Sequence, residues 1–271
     1  MKKLVIILTA VFLLSECSTV PITGRKRINL VSDAQVLPAS FAQYSSFLDE
    51  NKLSTNREMT NQIKNVGKNI SAAVDRFMRA NNMVEEANAY KWEFNLIEDK
   101  TVNAWCMPGG KVVFYTGIMP ICANEDGVAA VMGHEIAHAF AKHGQERMTN
   151  SYGQQIGGLL VALGTSNKSA EGQQIWNTAY GVGSGLGMLK FSRTHEQEAD
   201  RLGLVFMIMA GYDGTEAAEV WVRMSEKSGG GSTPEILSTH PSNASRIQDL
   251  KNYLPTARKY ATQYNANGNV K

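Results

Sequence analysis

The pentapeptide His134-Glu135-Ile136-Ala137-His138 constrains this chain more than any other stretch of it. Four residues advance an α-helix by about 400°, so the two imidazoles stand one turn apart on a single face. From that face both rings can reach one zinc ion, while Glu135 stands at its adjoining edge, placed for a water rather than for the metal. Zinc makes such a water acidic, and Glu135 can take its proton as the oxygen attacks a carbonyl. The flanking residues agree with a helix. Asn124, Glu125 and Asp126 form a capping sequence, and Val128, Val131, Met132, Ile136 and Ala139 recur at helical spacing. The competing reading is a pair of core histidines with an incidental glutamate.

Two imidazoles leave zinc short of the three protein ligands usual at a catalytic site. The segment Ser192-Arg193-Thr194-His195-Glu196-Gln197-Glu198-Ala199-Asp200 offers Glu196 as the third, with Asp200 one turn further along the same helix face. Asp200 can accept the second ring N–H of a ligating histidine, which fixes its tautomer. The spacing is weak by itself, because Glu196, Glu198 and Asp200 also describe a solvated helix face. His143, five residues after His138, and His195 fall off the ligand faces and are expected to be uninvolved.

Taken together, these segments resemble the HtpX and CaaX-prenyl-protease family of gluzincin metallopeptidases, family M forty-eight. The resemblance runs in order from about residue 103 to 246. It takes in Asn103-Ala104-Trp105, Pro108-Gly109-Gly110, Tyr115-Thr116-Gly117, the two ligand segments, Ser238-Thr239-His240-Pro241 and Arg246. It implies one zinc per chain and a catalytic role for His240, as an oxyanion donor or as a fourth ligand in a resting state. Arg246 is implied to assist at the same site. It further implies an active-site edge strand along Asn103, Gly110, Val112 and Phe114, to which an extended substrate adds by backbone hydrogen bonds. Without the family, His240-Pro241 reads as a loop before a helix. The chain is most similar to the soluble periplasmic members, which are often outer-membrane lipoproteins, and is expected to carry no helical-repeat domain after residue 254.

The N-terminus agrees with export. Lys2 and Lys3 precede an apolar run from Leu4 to Leu14, too short for a membrane span and suited to a signal peptide. Leu14-Ser15-Glu16-Cys17 resembles a bacterial lipobox, with Glu16 departing from the small residue usual there. The expectation is therefore a lipid anchor on Cys17, in the periplasm at the outer membrane, with ordinary cleavage nearby as the alternative. Residues 1–16 read as signal peptide, 17–40 as a tether whose Arg25-Lys26-Arg27 cluster is solvated, 41–254 as the peptidase domain and 255–271 as a flexible tail. Cys106 and Cys122 are either a disulfide or buried free thiols. The glycine-rich stretch 153–189 covers the cleft, touches a membrane or partner, or packs closely.

Helical periodicity covers 41–48 and 59–83, and alternation of Tyr90, Trp92, Phe94 and Leu96 marks a strand, with a second at 112–115. Further helices are expected at 192–210, up to 227, and at 242–254. The fold class is α+β, zincin-like and mostly helical with a small sheet. Without residues 1–16 the chain has 25 basic and 24 acidic residues (27 less Lys2 and Lys3, 25 less Glu16), a balance that argues against nucleic acid as a partner. The expected function is a zinc endopeptidase for unfolded or misassembled envelope proteins, with envelope assembly machinery as a candidate partner. Its rivals are a catalytically silent zinc-binding chaperone or adaptor and a zinc hydrolase of non-peptide substrates. Glu135 argues against the first, since a structural zinc site needs no general base.

Overall fold

The computed structural model describes residues 17–151, 192–228, 234–240 and 244–264. The signal-peptide segment, the glycine-rich stretch and Pro241 lie outside the described residues. The chain opens with a hairpin, β1 (Cys17–Thr19) and β2 (Lys26–Ile28), paired antiparallel. Helices α1 (Asp33–Glu50), α2 (Arg57–Ala80) and α3 (Val84–Ala89) follow, then strands β3 (Glu93–Ile97), β4 (Ala104–Met107) and β5 (Lys111–Tyr115). After the short α4 (Met119–Cys122) come α5 (Glu125–Phe140) and a helix over residues 143–151, α6. The described chain resumes with α7 (Arg193–Met209), α8 (Glu216–Ser228), the short α9 (Glu235–Thr239) and α10 (Ala244–Tyr264). This is a mostly helical α+β fold, as expected. No helix among the described residues is long and apolar enough to cross a membrane.

Helix α2 shows why the pattern was readable: Ile63, Val66, Ile70, Val74 and Phe77 all lie on its inner face and are buried. Its N-terminus is capped by Asn56, whose side chain accepts from the Met59 N–H. The sheet splits the core by strand alternation. Leu96, Ala104, Val112 and Phe114 face the main helical core, while Ile97, Trp105, Met107 and Val113 face α1. On that second side the Trp105 ring meets Phe47 edge-on at 4.9 Å and Tyr44 at 6.2 Å. Helix α5 sits in the middle, packed against α7, α8, α2 and β4.

Three expectations need correction. The 17–40 segment is no tether, because it holds the β1–β2 hairpin and the start of α1, and Arg27 is buried. The last helix does not stop at Leu254. It continues through Pro255 to Tyr264, since Ala257 and Ala261 are both buried and packing outweighs the lost proline hydrogen bond. The strand bearing Val112 and Phe114 is not an edge. The sheet order is β3-β5-β4, with β5 central, parallel to β3 and antiparallel to β4. Gly110 lies in the turn before β5 at φ +85°, and a Cβ there would meet the Trp92 ring at 2.5 Å. Among the described residues, the strand with an unpaired side next to α5 is β4. Cys106 and Cys122 are free thiols, not a disulfide.

Candidate active site

Helix α5 begins at Asn124, whose side chain accepts from the Gly127 N–H, and the four-residue spacing then aligns His134 with His138. Ser192 does the same for α7, accepting from the His195 N–H one residue before Glu196. The two helices pack face to face, and the predicted ligands converge with His240, the residue directly after α9. His138 Nε2 lies 3.1 Å from His134 Nε2. Glu196 Oε1 is 3.5 Å from His138 Nε2, and Glu196 Oε2 is 3.6 Å from His134 Nε2. His240 Nδ1 is 3.3 Å from His134 Nε2 and 3.0 Å from Glu196 Oε1.

Donor atoms at 2.0–2.2 Å from a tetrahedral ion stand about 3.3–3.6 Å apart. The four side chains therefore fit a metal of the zinc type, and all four are buried. Glu135 Oε1 points into the same space, 3.7 Å from His240 Nε2, with no hydrogen-bond partner among the described residues. A buried carboxylate oxygen left open beside an imidazole cluster suits a proton acceptor rather than a core residue.

Behind the ligands lies a charged shell. His134 Nδ1 is 3.0 Å from Asp200 Oδ1, the contact expected of Asp200. Arg246 serves the ligand shell: its Nε and Nη2 bind Asp200 in a two-point fork at 2.8 and 2.7 Å, and its Nη1 lies 2.8 Å from Glu196 Oε2. The guanidinium rests on the Trp221 ring at 4.1 Å, and that ring also stands edge-on to His134. Asn103 likewise acts at a distance. Its Nδ2 donates to Glu235 at 3.0 Å, which together with Ile236 N–H to Val102 O anchors α9 and so places His240.

Electrostatics follow from burial and pairing. Burial raises the Glu135 carboxyl, against the lowering effect of His240 and His134, which moves it toward the range of a base working near neutrality. Burial and the neighbouring imidazoles hold His138 well below the usual histidine range, in the neutral form that a ligand needs. For Glu196 and Asp200 burial pushes upward. His240 and Arg246 outweigh it at Glu196, and Arg246 with His134 at Asp200, so both carboxyls are lowered.

The expectation that His143 and His195 stand aside is wrong. His143 Nδ1 lies 2.9 Å from His138 Nδ1, and its Nε2 lies 2.9 Å from Glu198 Oε2. His195 stacks on His143 with ring centroids 4.4 Å apart. Nor is Arg25 solvated: it pairs with Glu146 and Glu198. Glu198 lies two residues, about 200°, from Glu196 around α7, so helix geometry turns it away from the Glu196 side and only packing brings it to His143.

A buried site of two helical histidines, a glutamate from a second helix and an open carboxylate defines a metallohydrolase. Comparison with known proteins agrees. Residues 65–254 match the model of Peptidase family M48. Over 252 residues the chain is 32% identical to the mitochondrial metalloendopeptidase OMA1 of Schizosaccharomyces pombe, covering 92% of this chain and 69% of that one. Its Saccharomyces cerevisiae counterpart is 30% identical, covering 94% and 74%. The beta-barrel assembly-enhancing protease of Escherichia coli K12 is 29% identical over 67% of this chain and 38% of its own length.

The chain belongs to Peptidase family M48 and is a metalloendopeptidase. One expectation falls here. The relatives that match over nine-tenths of the chain are named as mitochondrial enzymes, which overturns the assignment to the periplasm and with it the compartment for an outer-membrane anchor on Cys17.

Proposed function

We propose that the chain is a zinc endopeptidase, with one zinc per chain, that cuts extended segments of unfolded or misfolded proteins. The observation that carries this reading is the open Glu135 oxygen beside the ligand group of His134, His138, Glu196 and His240. When bound, zinc supplies acidity to a water and polarises the scissile carbonyl. Glu135 takes the proton of the attacking water at Oε1 and passes it to the leaving nitrogen. Asp200 and Arg246 keep His134 and Glu196 in place, so neither of these two has to reorganise during the reaction. The side of β4 that is unpaired among the described residues, next to α5, offers backbone groups to an extended substrate. Backbone pairing tolerates varied side chains, which suits unfolded chains better than a single folded target. His240 fills the fourth donor position in this arrangement and must withdraw to admit water. The test is incubation of the zinc-loaded chain with casein beside Glu135→Gln. Cleavage by the first and not by the second is expected. No cleavage by either, with zinc bound, supports a silent zinc-binding adaptor instead.

A further inference from the structure

His138 has a support of different length from that of His134. It turns Nε2 into the ligand group and Nδ1 toward Nδ1 of His143, 2.9 Å away. A hydrogen bond between two Nδ1 atoms needs a proton on one and a bare lone pair on the other. Glu198 decides which. An ionised carboxylate only accepts, so the His143 Nε2 that it meets at 2.9 Å carries the proton. His143 Nδ1 is then bare and accepts from His138 Nδ1–H, which leaves the His138 Nε2 lone pair for the metal. Asp200 stands directly against His134 Nδ1 at 3.0 Å, whereas Glu198 reaches His138 through His143.

Glu198 is in turn held by the N-terminal hairpin. The Thr23 hydroxyl donates to its Oε1, and Arg25 Nε donates to its Oε2 at 2.7 Å. The other two nitrogens of Arg25 fork onto Glu146, each at 2.8 Å. His195, stacked on His143, stands 3.4 Å from the same Glu146. Two residues on, Arg27 donates to the carbonyls of Phe140 and Ala141 at the C-terminal end of α5, and to Ser18 at 2.9 Å. The hairpin thus grips both the ligand helix and the carboxylate behind its second ligand.

We propose that the β1–β2 hairpin is a positioning arm of the metal site: Arg25 orients Glu198, Glu198 sets the tautomer of His143, and His143 holds His138 with Nε2 toward the metal. Arg25, Glu198 and His143 are positioning residues, and the site is complete only with the hairpin docked. This rests on the zinc reading above.

The test compares zinc affinity, by competition with a chromophoric chelator, and the visible absorption of the cobalt form. It uses the full chain and its Arg25→Met, His143→Leu and His143→Gln variants, with melting of the zinc-free proteins as a fold control. Arg25→Met and His143→Leu should each bind zinc about 10–100-fold more weakly and shift the cobalt bands. The amide of His143→Gln can accept from His138 and donate to Glu198, so it should recover most of the loss, which a mere packing role does not predict. Wild-type affinity in Arg25→Met overturns the proposal, as does a Gln variant as weak as the Leu one. If His143→Leu fails to fold, Arg25→Met and His143→Gln decide alone. A wild-type chain that binds no zinc removes the zinc reading itself, an outcome distinct from variants that bind as well as wild type.

Discussion

The backbones of Gly133 and Gly203 touch where α5 crosses α7. A Cβ on Gly203 would sit 2.7 Å from the Gly133 carbonyl carbon and from the His134 nitrogen, and one on Gly133 would sit 2.7 Å from the Gly203 oxygen. At this separation His134 Nε2 and Glu196 Oε2 stand 3.6 Å apart. Gly203→Ala must therefore push a ligand helix aside. Overpacking of this kind costs about 1–3 kcal/mol. Calorimetry of the variant should show a lowered melting temperature together with weaker zinc retention, and an unchanged melting curve would show that the crossing has slack.

Glu135→Gln should abolish proteolysis while leaving zinc content near wild type, because Glu135 is the base and not a ligand. Removing a general base costs on the order of 10² to 10⁴ in rate. The checks are casein cleavage and metal analysis on one preparation. Retained cleavage would refute the role.

His240 Nδ1 stands among the ligand atoms, 3.0 Å from Glu196 and 3.3 Å from His134. His240→Ala should then release zinc to a chelator about tenfold or more faster, and should raise turnover at saturating zinc by opening the water position. Lowered turnover with zinc release unchanged would assign His240 to oxyanion stabilisation instead, worth roughly 10²-fold or more in rate.

Acid sensitivity should have a contribution from the hairpin dock. Burial alone would raise the Glu146 carboxyl, but hydrogen bonds from His195 and Arg25 outweigh it and hold it at about 2, against 4.5 unperturbed. The unfolded chain therefore takes up this proton first. The stabilisation is fully present above about pH 4.5 and is lost as pH falls toward 2. In thermal melts of wild type and Glu146→Gln, the gap between the two should narrow over that window. A gap constant from neutral pH to about 2 would contradict the assignment.

What the sequence alone settled was whatever a single element fixes. His134 with His138, and Glu196 with Asp200, are pairs within one helix, and 3.6 residues per turn sets their geometry before any packing. The apolar face of α2 and the cap at Asn124 are local in the same sense. Tertiary structure alone decided the pairings between elements distant in the chain. Arg25 and Glu198 are 173 residues apart, so nothing near Arg25 shows that its charge is matched, and a basic cluster without a visible partner reads as solvated. The sheet order is of this kind too: alternation marks Val112 and Phe114 as strand residues, but only the arrival of β3 beside β5 makes that strand central and leaves β4 at the margin. Helix α10 passes Pro255 for a related reason, because the buried Ala257 and Ala261 are held by helices elsewhere in the chain. Local periodicity determines which face a residue occupies, and only packing determines what that face meets.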